Sequence, residues 1–198
     1  MNEIVFRLLM LSLIIAVVWI RLYFIFQNEK AILGSDKSRE VEPKAKSSIT
    51  NILVIISRGL ILAYIIAPSL ISFFGLGING KIRLGAAALA ALLLCMQIWV
   101  HRTLGLSFDF RLITRDAQKL VTGGPYKWVR NPMYSVNIMT EICFGILSSN
   151  LLVLVFGFLT GALILGRAYG EERMLLQNFG QEYERYRNST KRFIPFIY

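Results

Sequence analysis

The chain has 198 residues, 55% of them hydrophobic and 17% charged, with a net charge of +10. So large an apolar share, gathered in long runs, excludes an ordinary soluble domain and leaves room for one membrane bundle rather than two domains. The 22 Lys and Arg flank the apolar runs, where they meet anionic headgroups, so the basic excess points to a membrane surface and away from nucleic acid.

The first apolar run, residues 4–26, exceeds the roughly 20 residues a helix needs to cross a bilayer. It lacks a small-residue cleavage site and reads as an anchor, with Arg7 and Arg21 placed to snorkel from its ends. Residues 27–48 form a basic loop that extends a helix at one side. A second span covers residues 49 to about 74, bent at Pro68. The third covers residues 82 to about 101 and ends at His101, an interfacial structural residue. After the polar segment 102–131, two short apolar stretches, 132–147 and 151–166, are joined only by Ser148-Ser149-Asn150, which predicts an antiparallel helical hairpin. Gly157 and Gly161 on its second arm permit close backbone approach.

These segments predict an all-α fold: an integral membrane bundle of five transmembrane helices forming a single domain over 1–198. Residues 1–101 supply three helices and their loops. Residues 102–198 supply a polar segment, the hairpin and an amphipathic C-terminal helix carrying Phe179, Tyr183 and Tyr186. Lys and Arg concentrate after the first span, after the third, and from Arg167 onward. The positive-inside rule puts those regions in the cytoplasm and the N-terminus outside.

Two patterns carry little chemistry. Gly75-Leu76-Gly77-Ile78-Asn79-Gly80 matches a dinucleotide fingerprint in letters, but it links two spans and lacks the strand and acid that motif needs. Cys95 and Cys143 lie inside apolar runs, and a single histidine makes a His-based metal centre untenable.

The informative stretch runs from Thr122 to Tyr134. Thr122-Gly123-Gly124-Pro125 breaks any helix, Asn131-Pro132 breaks the chain again, and Tyr126, Trp128 and Arg130 lie between. Irregular backbone at membrane depth is tolerated only inside protein or around a cavity. Pro132 suits a first helical position with Asn131 as its cap. Arg167 and Glu171 then share one helical face, able to meet an anion and a cation respectively, and Glu172 and Arg173 follow. Tyr134, Asn137 and Glu141 also share a face, and an acid within a span is a functional candidate by default, here for the substrate.

These residues resemble the isoprenylcysteine carboxyl methyltransferases and their prokaryotic relatives, which are akin to phospholipid methyltransferases. The resemblance runs through 119–126, Val129-Arg130-Asn131-Pro132-Met133-Tyr134, Glu171-Glu172, 179–183 and Arg192-Phe193-Ile194-Pro195. It implies S-adenosyl-L-methionine as cofactor, a cytoplasmic pocket formed by the C-terminal half, and a lipophilic or lipidated substrate arriving from the bilayer among membrane lipids. It also implies cofactor contacts at Arg111, Gln118, Lys119, Leu120, Val121, Tyr126, Asn131, Pro132, Met133, Tyr134 and Glu171, and a substrate carboxylate on Arg167. The expected reaction is carboxyl O-methylation. N-methylation of a lipid amine, a membrane reductase, and a non-catalytic protein on the same scaffold remain alternatives. One departure stands out: the family has Arg-His-Pro where this chain has Arg130-Asn131-Pro132, and asparagine cannot act as acid or base.

Overall fold

In lipid every backbone polar group must be satisfied within the protein, so long apolar runs become helices. The computed structural model describes residues 2–32, 38–40, 44–105, 113–115 and 120–194. Its helices are α1 (Glu3–Ile32), α2 (Lys44–Ile66), α3 (Gly80–Leu104), α4 (Pro132–Ser148) and α5 (Leu151–Ser189). A small antiparallel ribbon, β1 (Ser38–Glu40) with β2 (Ile113–Arg115), ties the segment after α1 to the segment after α3. The architecture is otherwise helical and that of an integral membrane protein. Glu3–Gln27, Gly80–Leu104 and Leu151–Ser189 are long and apolar enough to cross a bilayer.

Three boundaries differ from the sequence expectation. Helices reach into 27–48 from both sides, α1 continuing to Ile32 and α2 starting at Lys44. The second helix is not bent at Pro68 but ends at Ile66, and Pro68 opens a short 3-10 turn. A proline disfavours helical backbone in the residue before it, and Ala67 has left the helix (φ −132°, ψ 63°). The second hairpin arm does not stop near Gly166, since α5 runs 39 residues with one break at Gly180 (φ 50°). At 1.5 Å per residue that is about 58 Å, roughly twice the hydrocarbon thickness, so its second half leaves the membrane.

Helix α4 forms the centre, with Val136, Cys143, Phe144 and Leu147 buried, and α3 and α5 pack most extensively against it. Around it lies a core including Phe6, Met10, Ile61, Ala87, Ala90 and Val153. At one end of the bundle the buried Arg83 donates to Glu3, to the Tyr64 hydroxyl at 2.8 Å and to the Leu147 carbonyl at 2.9 Å, over the Phe6 ring. One guanidinium thus ties four helices. At that same end Ser149, in a left-handed conformation, receives the Ile78 amide on its hydroxyl at 2.8 Å and the Leu76 amide on its carbonyl at 2.7 Å. The stretch 75–80 is accordingly a link docked on the hairpin turn, with Gly75 bridged to Asn150.

Midway along the bundle, Arg21 does not snorkel outward as expected. Its Nη2 donates to Asn137 Oδ1 at 2.9 Å. Arg58 on α2 pairs with Glu141 on α4, and the Ser57 hydroxyl approaches the same carboxylate. His101 is buried and stacks on Phe24 at 4.8 Å.

The α4–α5 pair closes through glycines on both partners. A Cβ on Gly157 would sit 3.2 Å from the Glu141 carbonyl oxygen, one on Gly161 3.3 Å from Ile138, and one on Gly145 2.6 Å from the Leu154 Cα. Gly145 therefore tolerates no side chain without a backbone shift. Gly145→Ala is expected to cost about 1–3 kcal/mol by overpacking and to lower the melting temperature in detergent. Gly85→Ala, which meets open space, should leave it unchanged or slightly raised.

Candidate functional site

Residues 120–131 lie at the end of the bundle opposite the Arg83 clasp. Gly124 adopts φ +56°, and a Cβ there would fall 2.8 Å from Thr103 Oγ1, so glycine lets the loop press onto the last turn of α3. The 3-10 turn Gly124–Lys127 then buries Pro125 and Tyr126, while Trp128 packs edge-on against Trp99 at 5.6 Å. The Tyr186 hydroxyl, from beyond the Gly180 break, donates to the Tyr126 carbonyl at 2.7 Å.

Asn131 occupies the cap position of α4 but does not cap it with its side chain. Instead its Nδ2 donates to Glu172 Oε1 at 2.7 Å. Glu172 also receives Arg130 Nε at 3.3 Å and Arg192, whose Nη2 lies at 2.8 Å. Burial alone would lower the Arg192 pKa, but the hydrogen bond and charge of Glu172 outweigh it and the net shift is upward. Backbone bonds extend the grip, since the Arg130 amide donates to the Lys191 carbonyl at 2.7 Å, the Asn131 amide to Arg192 at 3.1 Å, and Ser135 Oγ to Phe193 at 2.7 Å. Arg130 also donates to the carbonyls of Arg187 and Thr190. Residues 190–194 are thereby laced along the start of α4.

Glu171, adjacent in sequence, points elsewhere because neighbouring helical residues are about 100° apart. It accepts a hydrogen bond from the Tyr134 hydroxyl, and Arg167 lies near enough to that phenol to act on its charge. Tyr126 faces the same acid. Its pKa is raised, first by burial and then by the negative charge of Glu171. The arrangement is two phenols, one carboxylate and one guanidinium, partly buried around the irregular loop, and it can hold a polar cationic ligand while excluding water.

Of the residues expected to bind, Tyr126, Tyr134, Glu171 and Arg167 are drawn together here. Asn131 and Pro132 are buried at the start of α4, with Met133 partly buried in its first turn. Leu120 and Val121, both partly buried, enter the loop ahead of Gly123. Arg111, Gln118 and Lys119 lie outside the described residues. Glu141 stands apart from this group, nearly two turns deeper than Tyr134, against Arg58. Sequence reasoning overlooked Glu172 as the centre of the strap and Arg58 as the partner of Glu141. The signals were present: an acidic doublet must split between two helix faces, and an arginine within an apolar span calls for an acid. Among the described residues no group of three His, Cys, Asp or Glu is placed to hold a metal.

The sequence model of the isoprenylcysteine carboxyl methyltransferase (ICMT) family matches residues 84–177. Across that span the chain is similar to ICMT-family sequences. Proteins of Oryza sativa subsp. indica and subsp. japonica, each named a probable protein-S-isoprenylcysteine O-methyltransferase, are 33% identical over 98 residues. That alignment covers 48% of this chain and 51% of each relative, so the chain spans about half the length of the curated relatives it matches. A solved structure of the eukaryotic intramembrane Ras methyltransferase ICMT superposes with a TM-score of 0.54 at 22% identity. It covers 79% of this chain and 55% of that one, which makes the fold ICMT-like. The matched span contains the α3 end, the loop, the hairpin, Arg167 and Glu171.

Glu172→Ala would leave Arg130 and Arg192 without their shared carboxylate. Breaking a buried charge cluster from one side costs about 3–5 kcal/mol, so limited proteolysis should cut the segment after Arg187 at least tenfold faster than in the wild type. Equal cleavage rates would mean that the strap is held by its backbone bonds alone.

Proposed function

We propose that this protein is an S-adenosyl-L-methionine-dependent membrane methyltransferase that esterifies the carboxylate of an isoprenylcysteine or a similar lipophilic acid. The observation that carries the proposal is the convergence of Tyr126, Tyr134, Glu171 and Arg167 on a loop of helix-breaking residues, within the span that matches the family.

The residues suit the cofactor. Glu171 can accept from its ammonium or ribose hydroxyl groups, and the buried phenol rings can flank an apolar or π surface. Asn131 Nδ2 is committed to Glu172, which leaves its Oδ1 to accept from a ligand. That is consistent with a binding role and not with proton transfer. Leu120, Val121, Pro132 and Met133 would supply backbone and apolar contacts, joined by Arg111, Gln118 and Lys119.

Bound there, S-adenosylmethionine supplies a methyl group already activated on a sulfonium. A carboxylate is a competent nucleophile at neutral pH, so the side chains need move no proton. Arg167 holds and turns the substrate carboxylate by a charge-assisted pair. Tyr126 and Tyr134 keep water out, and the loop, braced by Glu172, fixes the line of attack. Positioning of this kind can contribute about 7–11 kcal/mol. Glu141, locked to Arg58, borders the path from the bilayer rather than the reacting atoms.

The apolar segmentation supports five spans in this reading: α2 and α4 cross beside the three long helices, in a single domain. The basic segments and the site face the cytoplasm, and the N-terminus lies outside. The sequon Asn188-Ser189-Thr190 is then cytoplasmic and should stay unglycosylated in a eukaryotic host. Glycan attachment there would reverse the orientation.

Arg167→Ala is expected to reduce methyl transfer to a prenylated cysteine by on the order of 10²-fold or more, the loss of a 2–5 kcal/mol charge pair, while calorimetry still detects cofactor binding. Glu171→Ala should weaken cofactor binding itself. Normal turnover in both variants would refute the assignment, and a base-labile labelled product is the mark of the ester.

A further inference from the structure

The bundle holds a charged cluster away from the reacting atoms of methyl transfer. Arg21 on α1, Arg58 on α2, and Asn137 and Glu141 on α4 converge well inside the sequence span of each helix. Arg21 is partly buried, and among the described residues its hydrogen-bond partner is the neutral Asn137. Arg58 is matched by Glu141, and Arg21 and Arg58 lie close enough to repel one another. The described cluster therefore carries two cations and one anion, an excess positive charge of the kind that attracts anionic lipid.

Its surroundings indicate what would balance that charge. Arg58 keeps 32% of its side chain accessible, so the cluster opens at the edge of α2 and is not sealed in the core. Neighbouring apolar residues Ile55 and Leu62 on α2 are exposed, at 69% and 54%. Arg21 is flanked along α1 by Trp19 and Tyr23, stacked at 5.8 Å and exposed, and Trp99 and Trp128 pair at the end of α3 that carries His101. Exposed Trp and Tyr of this kind collect at headgroup level, which is where lipid phosphates lie.

We infer that Arg21 and Arg58, with the Asn137 amide beside them, form a site for the phosphodiester of a glycerophospholipid, entered from the bilayer between α1 and α2. A phosphodiester bears one negative charge, the charge the cluster lacks. Its oxygens suit planar guanidinium donors, and its acyl chains would lie against the apolar flank of α2.

Native mass spectrometry of the full chain in detergent, with dioleoylphosphatidylglycerol or dioleoylglycerol added, tests this. The wild type should retain the phospholipid and not the diacylglycerol. Arg21→Gln and Arg58→Gln should each lower retention by roughly fivefold to tenfold, the share of one arginine near a headgroup. Glu141→Gln removes the competing anion and should raise retention several-fold, a gain that misfolding cannot mimic. Equal retention by all variants, no gain in Glu141→Gln, or equal retention of diacylglycerol would overturn the inference. Displacement by millimolar inorganic phosphate would also overturn it by pointing to a soluble anion, and displacement by a prenylated cysteine carboxylate by pointing to the methyl acceptor.

Discussion

The close approach of α4 and α5 sets the geometry of everything at the loop end. Lipid tails are as apolar as leucine side chains, so two helices gain little by hiding apolar surface from lipid and must gain by packing and by polar contacts. Glycines at 145, 157 and 161 bring the two backbones near enough for both. The tight turn at Ser149 fixes the register, and that register sets Tyr134 of α4 beside Glu171 and Arg167 of α5. A shift of one residue along α5 would rotate Glu171 by about 100° and part it from the phenol.

The acidic doublet on α5 divides two tasks that a single carboxylate could not combine. Glu172 is consumed by structure, because three residues, Arg130, Asn131 and Arg192, all donate to it. Glu171 is directed to the phenols instead. Asn131 serves that division. Its amide nitrogen braces the loop through Glu172, a task that needs a donor and not a titrating group. The same bonds recruit the tail, so the last helix, its break at Gly180 and the strap together close the wall behind the loop.

Much of this was legible in the sequence. The hairpin, the helix-breaking loop, the single face shared by Arg167 and Glu171, and the likeness to the family all rest on local patterns, where composition and spacing act directly. Helix ends were less legible. Pro68 could have kinked a continuous helix, but Ala67 before it leaves the helix and residues 75–78 dock on the hairpin turn instead. Charge pairing was least legible. Arg83 finds Glu3 across 80 residues and Arg58 finds Glu141 across 83. No local rule names such partners, even where the cost of a lone charge in lipid guarantees that one is needed.

That cost also accounts for how the charges are distributed along the bundle. At one end Arg83 is compensated and locks four helices, a contact made for rigidity. At the loop end Glu172 is compensated by two arginines and an amide, again for rigidity. Between them the Arg21–Arg58–Glu141 group is left one negative charge short among the described residues, and it sits at the edge of α2 instead of in the core. A structure that neutralises its charges at both ends but not at an accessible position between them marks that position as one where a mobile anion of the bilayer can complete the balance.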